Sequence, residues 1–157
     1  MDSTTYNLAL VFHLLGVMML VAGIVLAGVA FEAARRRRQP AEIALLLSIT
    51  RTGVLLVALG TLLIAAFGLW LVHLGSWGYG SGWVDASIGL YLAALVLGGV
   101  GGQRPKRARR LASVLAEQRA PVSGELRALL DDAVSRVANY VSLALILAIV
   151  VIMVFKP

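Results

Sequence analysis

Four stretches of this chain, residues 8–31, 53–74, 83–101 and 137–155, are each apolar and long enough to cross a bilayer, which takes about 20 residues. Hydrocarbon offers no partner to a free N–H or C=O, so each must be a helix. Of 157 residues, 60% are hydrophobic and 14% charged, more apolar surface than a soluble domain of this size can cover. The first stretch is too long for a cleavable signal peptide, and "MDSTTYN" before it has no positive charge, so it is expected to stay as a span. The expected fold is an all-α integral membrane protein: one membrane domain over 1–157, four antiparallel transmembrane helices, and an amphipathic helical segment in the loop 102–136.

With four spans, thirteen of the fourteen basic residues fall on one side: Arg35 to Arg38, Arg51, Arg104, Lys106, Arg107, Arg109, Arg110, Arg119, Arg127 and Arg136. The positive-inside rule places that side in the cytoplasm and both termini outside, as expected for a multi-pass membrane protein. The net charge of +6 thus reads as a topology signal and as attraction to anionic inner-leaflet lipids, not as a nucleic-acid surface.

After Arg38 and Pro40, "AEIALLLSIT" predicts a short interfacial helix leading into the second span. In the long loop, Ala108, Leu111 and Leu115 stripe a basic helix that Pro121 ends, and Ser123 is placed to cap a following helix. That segment is expected on the inner leaflet or on a partner. Trp70, Trp77, Tyr79 and Trp83 gather around the outer loop as interfacial anchors. Helices in lipid pair through small residues. Gly16, Gly23 and Ala30 recur every seven residues, as do Gly53 and Gly60; Ala86, Gly89 and Ala93, and the pair Gly98 and Gly102, extend the pattern. Such faces also permit a membrane-protein partner or a homo-oligomer.

The chain has two histidines and no cysteine, which excludes thiolate metal sites and c-type haem attachment. His13 shares the glycine face of the first span, so it points into the bundle, where a polar side chain is costly and a functional candidate. A neutral imidazole hydrogen-bonding a neighbouring helix is the alternative. His73 ends the second span in the same leaflet, and two such imidazoles could ligate the iron of a b-type haem. Its position, about 140° round the helix from Gly68, favours an outward-facing residue instead. Asp85 opens the third span on the same side, either orienting a ligating imidazole or serving as first-turn helix charge. Met18 and Met19 lie off the His13 face, so a copper path is not expected.

The runs "FHLLGVMMLVAG", "AAFGLWLV", "SGWVDASI" and "LALILAIVVIMVFKP" resemble, in order, segments of the HemJ-type protoporphyrinogen oxidases. The chain is also similar to bacterial four-helix families related to the copper-resistance D group, recorded as predicted integral membrane proteins of unknown function. The HemJ-type resemblance implies a four-helix membrane protein that binds haem b through a first-span histidine, the position of His13. Where that family carries an arginine late in span one and a lysine early in span three, this chain reads Gly28–Val29 and Ser87. The expectation is a haem- or porphyrin-binding membrane protein without oxidase activity, with His13, His73 and Asp85 as site residues. The alternatives are a non-catalytic accessory subunit of a larger membrane complex, such as a respiratory one, and a divergent HemJ-like oxidase.

Overall fold

The computed structural model describes residues 3–75 and 80–155, and every regular element among them is a helix: α1 (Ser3–Arg35), α2 (Pro40–Leu74), α3 (Gly82–Gly101), α4 (Gln103–Glu117), α5 (Gly124–Leu130) and α6 (Ala133–Phe155). Four runs are long and apolar enough to cross a membrane: α1, α2, α3 continuing into α4, and α6 with α5 before it. They pair as two antiparallel hairpins, α1 with α2 and α3 with α6.

The first hairpin is held at the glycines. A Cβ on Gly23 would sit 2.6 Å from the Gly53 carbonyl oxygen, and one on Gly53 would sit 2.8 Å from the Gly23 oxygen. A Cβ on Gly60 would lie 2.6 Å from the Gly16 oxygen, while Gly16 faces the Leu63 Cβ at 2.8 Å. Two backbones thus touch in two places seven residues apart, as the spacing predicted. Close approach replaces water exclusion as the source of adhesion in lipid.

The second hairpin uses a different stripe from the one expected. Ala86, Gly89, Ala93 and Gly98 are exposed, and a Cβ on Gly89 or Gly98 would meet nothing within 4 Å. The buried positions of α3 are Val84, Ser87, Ala94 and Gly101, three of them seven residues apart. They face Ser135, Ala138, Ser142, Ile146 and Ile149 of α6. A Cβ on Gly101 would come within 2.9 Å of Asn139 Oδ1, and the Ser142 hydroxyl donates to the Ala94 carbonyl at 3.4 Å. Between hairpins the contacts are made by side chains: Leu20, Ala94 and Ile146, with Ile24, Val57, Ile64 and Leu145 around them. The Tyr91 hydroxyl adds a 2.8 Å bond to the Thr61 carbonyl.

At the basic end the expected interfacial helix and the second span are one helix, α2. Pro40 sits in its first turn, which suits a residue without an N–H, and the helix runs unbroken for 35 residues. That is about 52 Å, against a hydrocarbon core of about 30 Å, so its beginning stands clear of the bilayer. The gap is spanned by a helical cap. Phe31 and Ala34 of α1, Ile43 and Leu47 of α2, Ala108 and Ala112 of α4, and Leu126 and Leu130 of α5 form one cluster, with Leu111, Leu115 and Leu129 packed on it. The amphipathic stripe of the loop is therefore seated on α2 of its own chain, leaving its basic side outward. Ser123 caps α5 by accepting the Leu126 N–H at 3.2 Å.

Polar ties bind the cap to both hairpins. Arg35 donates to Asp131 at 3.0 and 3.3 Å and pairs with Glu32 at 2.9 Å. The Arg127 guanidinium donates to the Arg35 carbonyl at 2.8 Å and to the Arg37 carbonyl. It thereby satisfies the end of α1, where carbonyls lack helical partners. Asp132 accepts the Ser135 N–H at 2.8 Å, capping α6, and pairs with Arg104. Burial alone would raise the Asp132 carboxyl; the Ser135 hydroxyl and N–H, aided by Arg104, outweigh it and hold the group below its ordinary value.

Candidate functional site: a buried imidazole between α1 and α2

His13 is 6% exposed, the most deeply placed titratable side chain in the first hairpin. Its position follows from the glycine contacts. Because α1 and α2 are antiparallel, stepping back one turn from Gly16 on α1 moves forward along α2 from Gly60 and Leu63 to Gly68. Gly68 has no side chain, and the imidazole takes the space: a Cβ there would lie 3.1 Å from His13 Cε1 and 3.2 Å from Nδ1. Beside it Phe12 stacks on Phe67, with ring centroids 4.8 Å apart and planes 19° apart. Trp70 extends this ladder, 5.9 Å from Phe67. The Ile64 carbonyl interacts with the ring, but Nδ1 is buried and makes no hydrogen bond among the described residues. The Thr61 hydroxyl oxygen is likewise buried without a partner, although the carbonyl of the same residue receives Tyr91.

The other two expected site residues stand apart from this one. His73 lies in the last turn of α2 and is exposed; five residues beyond Gly68, it is about 7.5 Å further along the axis and about 140° round. Asp85 lies in the first turn of α3 and is exposed, a position where a carboxylate meets the positive end of the helix dipole. Among the described residues no three His, Asp or Glu side chains gather as a metal site. Of the expected aromatic anchors, Trp70 is exposed and Trp83 half-buried, while Trp77 and Tyr79 lie outside the described residues.

Gly68 is the partner that sequence reasoning missed. Its signal was present: it falls seven residues after Thr61 and eight after Gly60, on the side of α2 that turns towards the first span. The two positions that carry cations in HemJ-type proteins are neutral here and differently used. Gly28 is exposed with nothing within 4 Å of a Cβ, and the buried Ser87 hydroxyl donates to the Trp83 carbonyl at 2.7 Å.

No curated protein and no solved structure matches this chain. One family, described as predicted integral membrane protein (DUF2269), matches residues 7–157. With four helices able to cross a membrane and a family match along nearly its whole length, the chain belongs to the DUF2269 family of predicted integral membrane proteins.

Proposed function

We propose that this protein binds a b-type haem or a related porphyrin in the half of the bundle away from the basic end, with His13 as its axial ligand and without oxidase activity. The observation that carries the reading is the Nδ1 atom of His13, buried inside a membrane bundle and left without a hydrogen bond. A polar atom in that condition is costly unless something completes it. The position also corresponds to the haem-ligating histidine of the HemJ-type proteins that the chain resembles. The residues present fit a single axial imidazole and not a pair, because His73 is exposed on another face. A haem held there would supply an iron with an open coordination position or a one-electron carrier. The neutral Gly28 and Ser87 favour binding over porphyrinogen oxidation.

Orientation belongs to the same proposal: a cap in the cytoplasm and both termini outside, a reading supported by the thirteen basic residues through the positive-inside rule. A second reading is favoured by the Gly68 contact. There, His13 is a packing residue in an accessory subunit of a larger membrane complex, filling the space opposite a glycine. The absorption spectrum of protein produced with excess haem precursor and purified in mild detergent separates the two. The haem reading expects a Soret band that His13→Ala abolishes and His73→Ala leaves unchanged. A wild type that carries no haem overturns it in favour of the packing role.

A further inference from the structure

The packing of the helices divides the chain into two bodies. Ala108 and Ala112 of α4 and Leu126 and Leu130 of α5 pack with Phe31, Ala34, Ile43 and Leu47, so the cap belongs to the first hairpin. The α3–α6 pair is the other body. It meets the first through the side chains around Leu20, Ala94 and Ile146 and through the Tyr91 bond to the Thr61 carbonyl. At the basic end the chain passes between the bodies twice: where α3 joins α4, and at the non-helical Asp131 and Asp132 before α6. Arg104 holds these two crossings together, because it lies at the start of α4 and pairs with Asp132, which caps α6.

Glycines crowd the first crossing, at 98, 99, 101 and 102. Gly101 has a packing reason, since a Cβ there would meet Asn139 Oδ1 at 2.9 Å. Gly98 and Gly99 have none: a Cβ on either would meet nothing within 4 Å, and neither has a positive φ. In this arrangement alanine would favour the helix by about fivefold at each position. Neighbouring small residues of this kind are where helices kink. Besides His13 Nδ1, two buried polar atoms lack a hydrogen bond among the described residues, Thr61 Oγ1 and Arg136 Nε. Both stand on the division, Thr61 where Tyr91 crosses it and Arg136 in the first turn of α6. Buried polar atoms are nearly always paired, so this arrangement leaves both of them something to gain in another.

We infer that the α3–α6 hairpin rocks on the rest of the molecule about a hinge at residues 98–99 and 131–132, opening the interface between the hairpins. That interface includes Ile64, whose carbonyl interacts with the His13 ring, so its opening makes a side route to the ring, whatever the ring binds. The loop 75–81, at the other end, limits how far the hairpins part. Hinge residues of this sort absorb a backbone change far from the surfaces that separate.

The chain has no cysteine, so pairs of spin labels can be placed on the full chain in mild detergent and in liposomes. Leu62→Cys with Leu147→Cys measures between the bodies. Val11→Cys with Leu62→Cys, and Leu92→Cys with Leu147→Cys, measure within each; all four positions are exposed. Double electron–electron resonance is expected to give one distance within each body and two between them. Gly98→Ala with Gly99→Ala lowers the share of the second distance by about tenfold or more, because both favour the unbent helix. Gly89→Ala, equally free of neighbours but away from the hinge, leaves that share unchanged. Arg104→Gln raises it by releasing the crossings. A single distance between the bodies that Arg104→Gln does not split overturns the hinge. Equal effects of Gly89→Ala and the Gly98 and Gly99 pair would show general stiffening of α3 and overturn it as well.

Discussion

Gly60→Ala isolates what holds the first hairpin together. The added Cβ would lie 2.6 Å from the Gly16 carbonyl oxygen and 2.6 Å from the Leu20 nitrogen, where ordinary contact begins at about 3.4 Å. Both neighbours are backbone, so no rotamer change relieves the clash, and the helices must part by about 0.8 Å. A gap of that size forfeits a quarter to a half of the dispersion well at each contact along the seam, and overpacking of this kind costs about 1–3 kcal/mol. The comparison is Gly89→Ala, where a Cβ meets nothing within 4 Å and helix propensity favours alanine by up to about 1 kcal/mol. The propensity gain is common to both helical positions and cancels, so the two substitutions should differ by about 1–3 kcal/mol, the overpacking cost alone. Reversible unfolding in mixed micelles, or the force needed to separate the first hairpin, measures the difference. Adding Gly23→Ala to Gly60→Ala should cost less than the sum of the two singles, because both push the same pair of helices apart. If Gly60→Ala proves as harmless as Gly89→Ala, the backbone contacts do not hold the hairpin and the account of its packing fails.

Further outcomes follow from the buried imidazole, the cap and the charge distribution. Gly68→Ala places a methyl 3.1–3.2 Å from the His13 ring and forces it off its rotamer at about 0.5–1.5 kcal/mol; the penalty should largely vanish in a His13→Ala background, and a penalty that persists there would mean that the ring is not what Gly68 accommodates. Asp132 titrates below its ordinary value in the fold, so its stabilisation is complete above about pH 4, the unfolded carboxylate range, and is lost as pH falls through the lower folded value. The wild type should accordingly lose more Tm between about pH 4 and 2 than Asp132→Asn does, and parallel curves would remove Asp132 from the account. A reporter active only in the cytoplasm should be silent when fused after Pro157 and active when inserted after Gln118, and the reverse pattern would invert the orientation.

The sequence specified the first hairpin more fully than the second, for a physical reason. In α1 and α2 the glycines are few enough that a seven-residue spacing singles out one face of each helix. In α3, small residues occur all round: Gly82, Ala86, Gly89, Ala93, Ala94, Gly98, Gly99 and Gly101. Size alone does not choose among those faces. The choice is made by α6, whose Ser135, Ala138 and Ser142 present a matching hollow and whose Asn139 amide reaches Gly101. The cap was half legible. Periodicity gave the amphipathic character of α4, but its seat on Ile43 and Leu47, more than sixty residues earlier in the chain, is a long-range pairing that periodicity does not encode. At the candidate site, the depth and face of His13 were readable from its register with Gly16 and Gly23. Its fit against Gly68 required knowing how far α2 is displaced along α1.

The largest fully buried side chains, Ile43, Leu47, Leu126 and Leu130, belong to the cap. Lipid tails compete with apolar side chains for one another, so burial between spans gains nothing from leaving water. In the cap the same burial contributes about 1.5–3 kcal/mol per large side chain. The molecule therefore coheres by two unlike forces at its two depths. Urea and cooling, which weaken water-driven association, should act first on the cap and leave the glycine seams closed. Bilayer thickness and acyl-chain composition should act on the seams and scarcely reach the cap. A single melting curve in detergent would merge the two; varying denaturant at fixed lipid, and then lipid at fixed denaturant, would resolve them as separate transitions of one short chain.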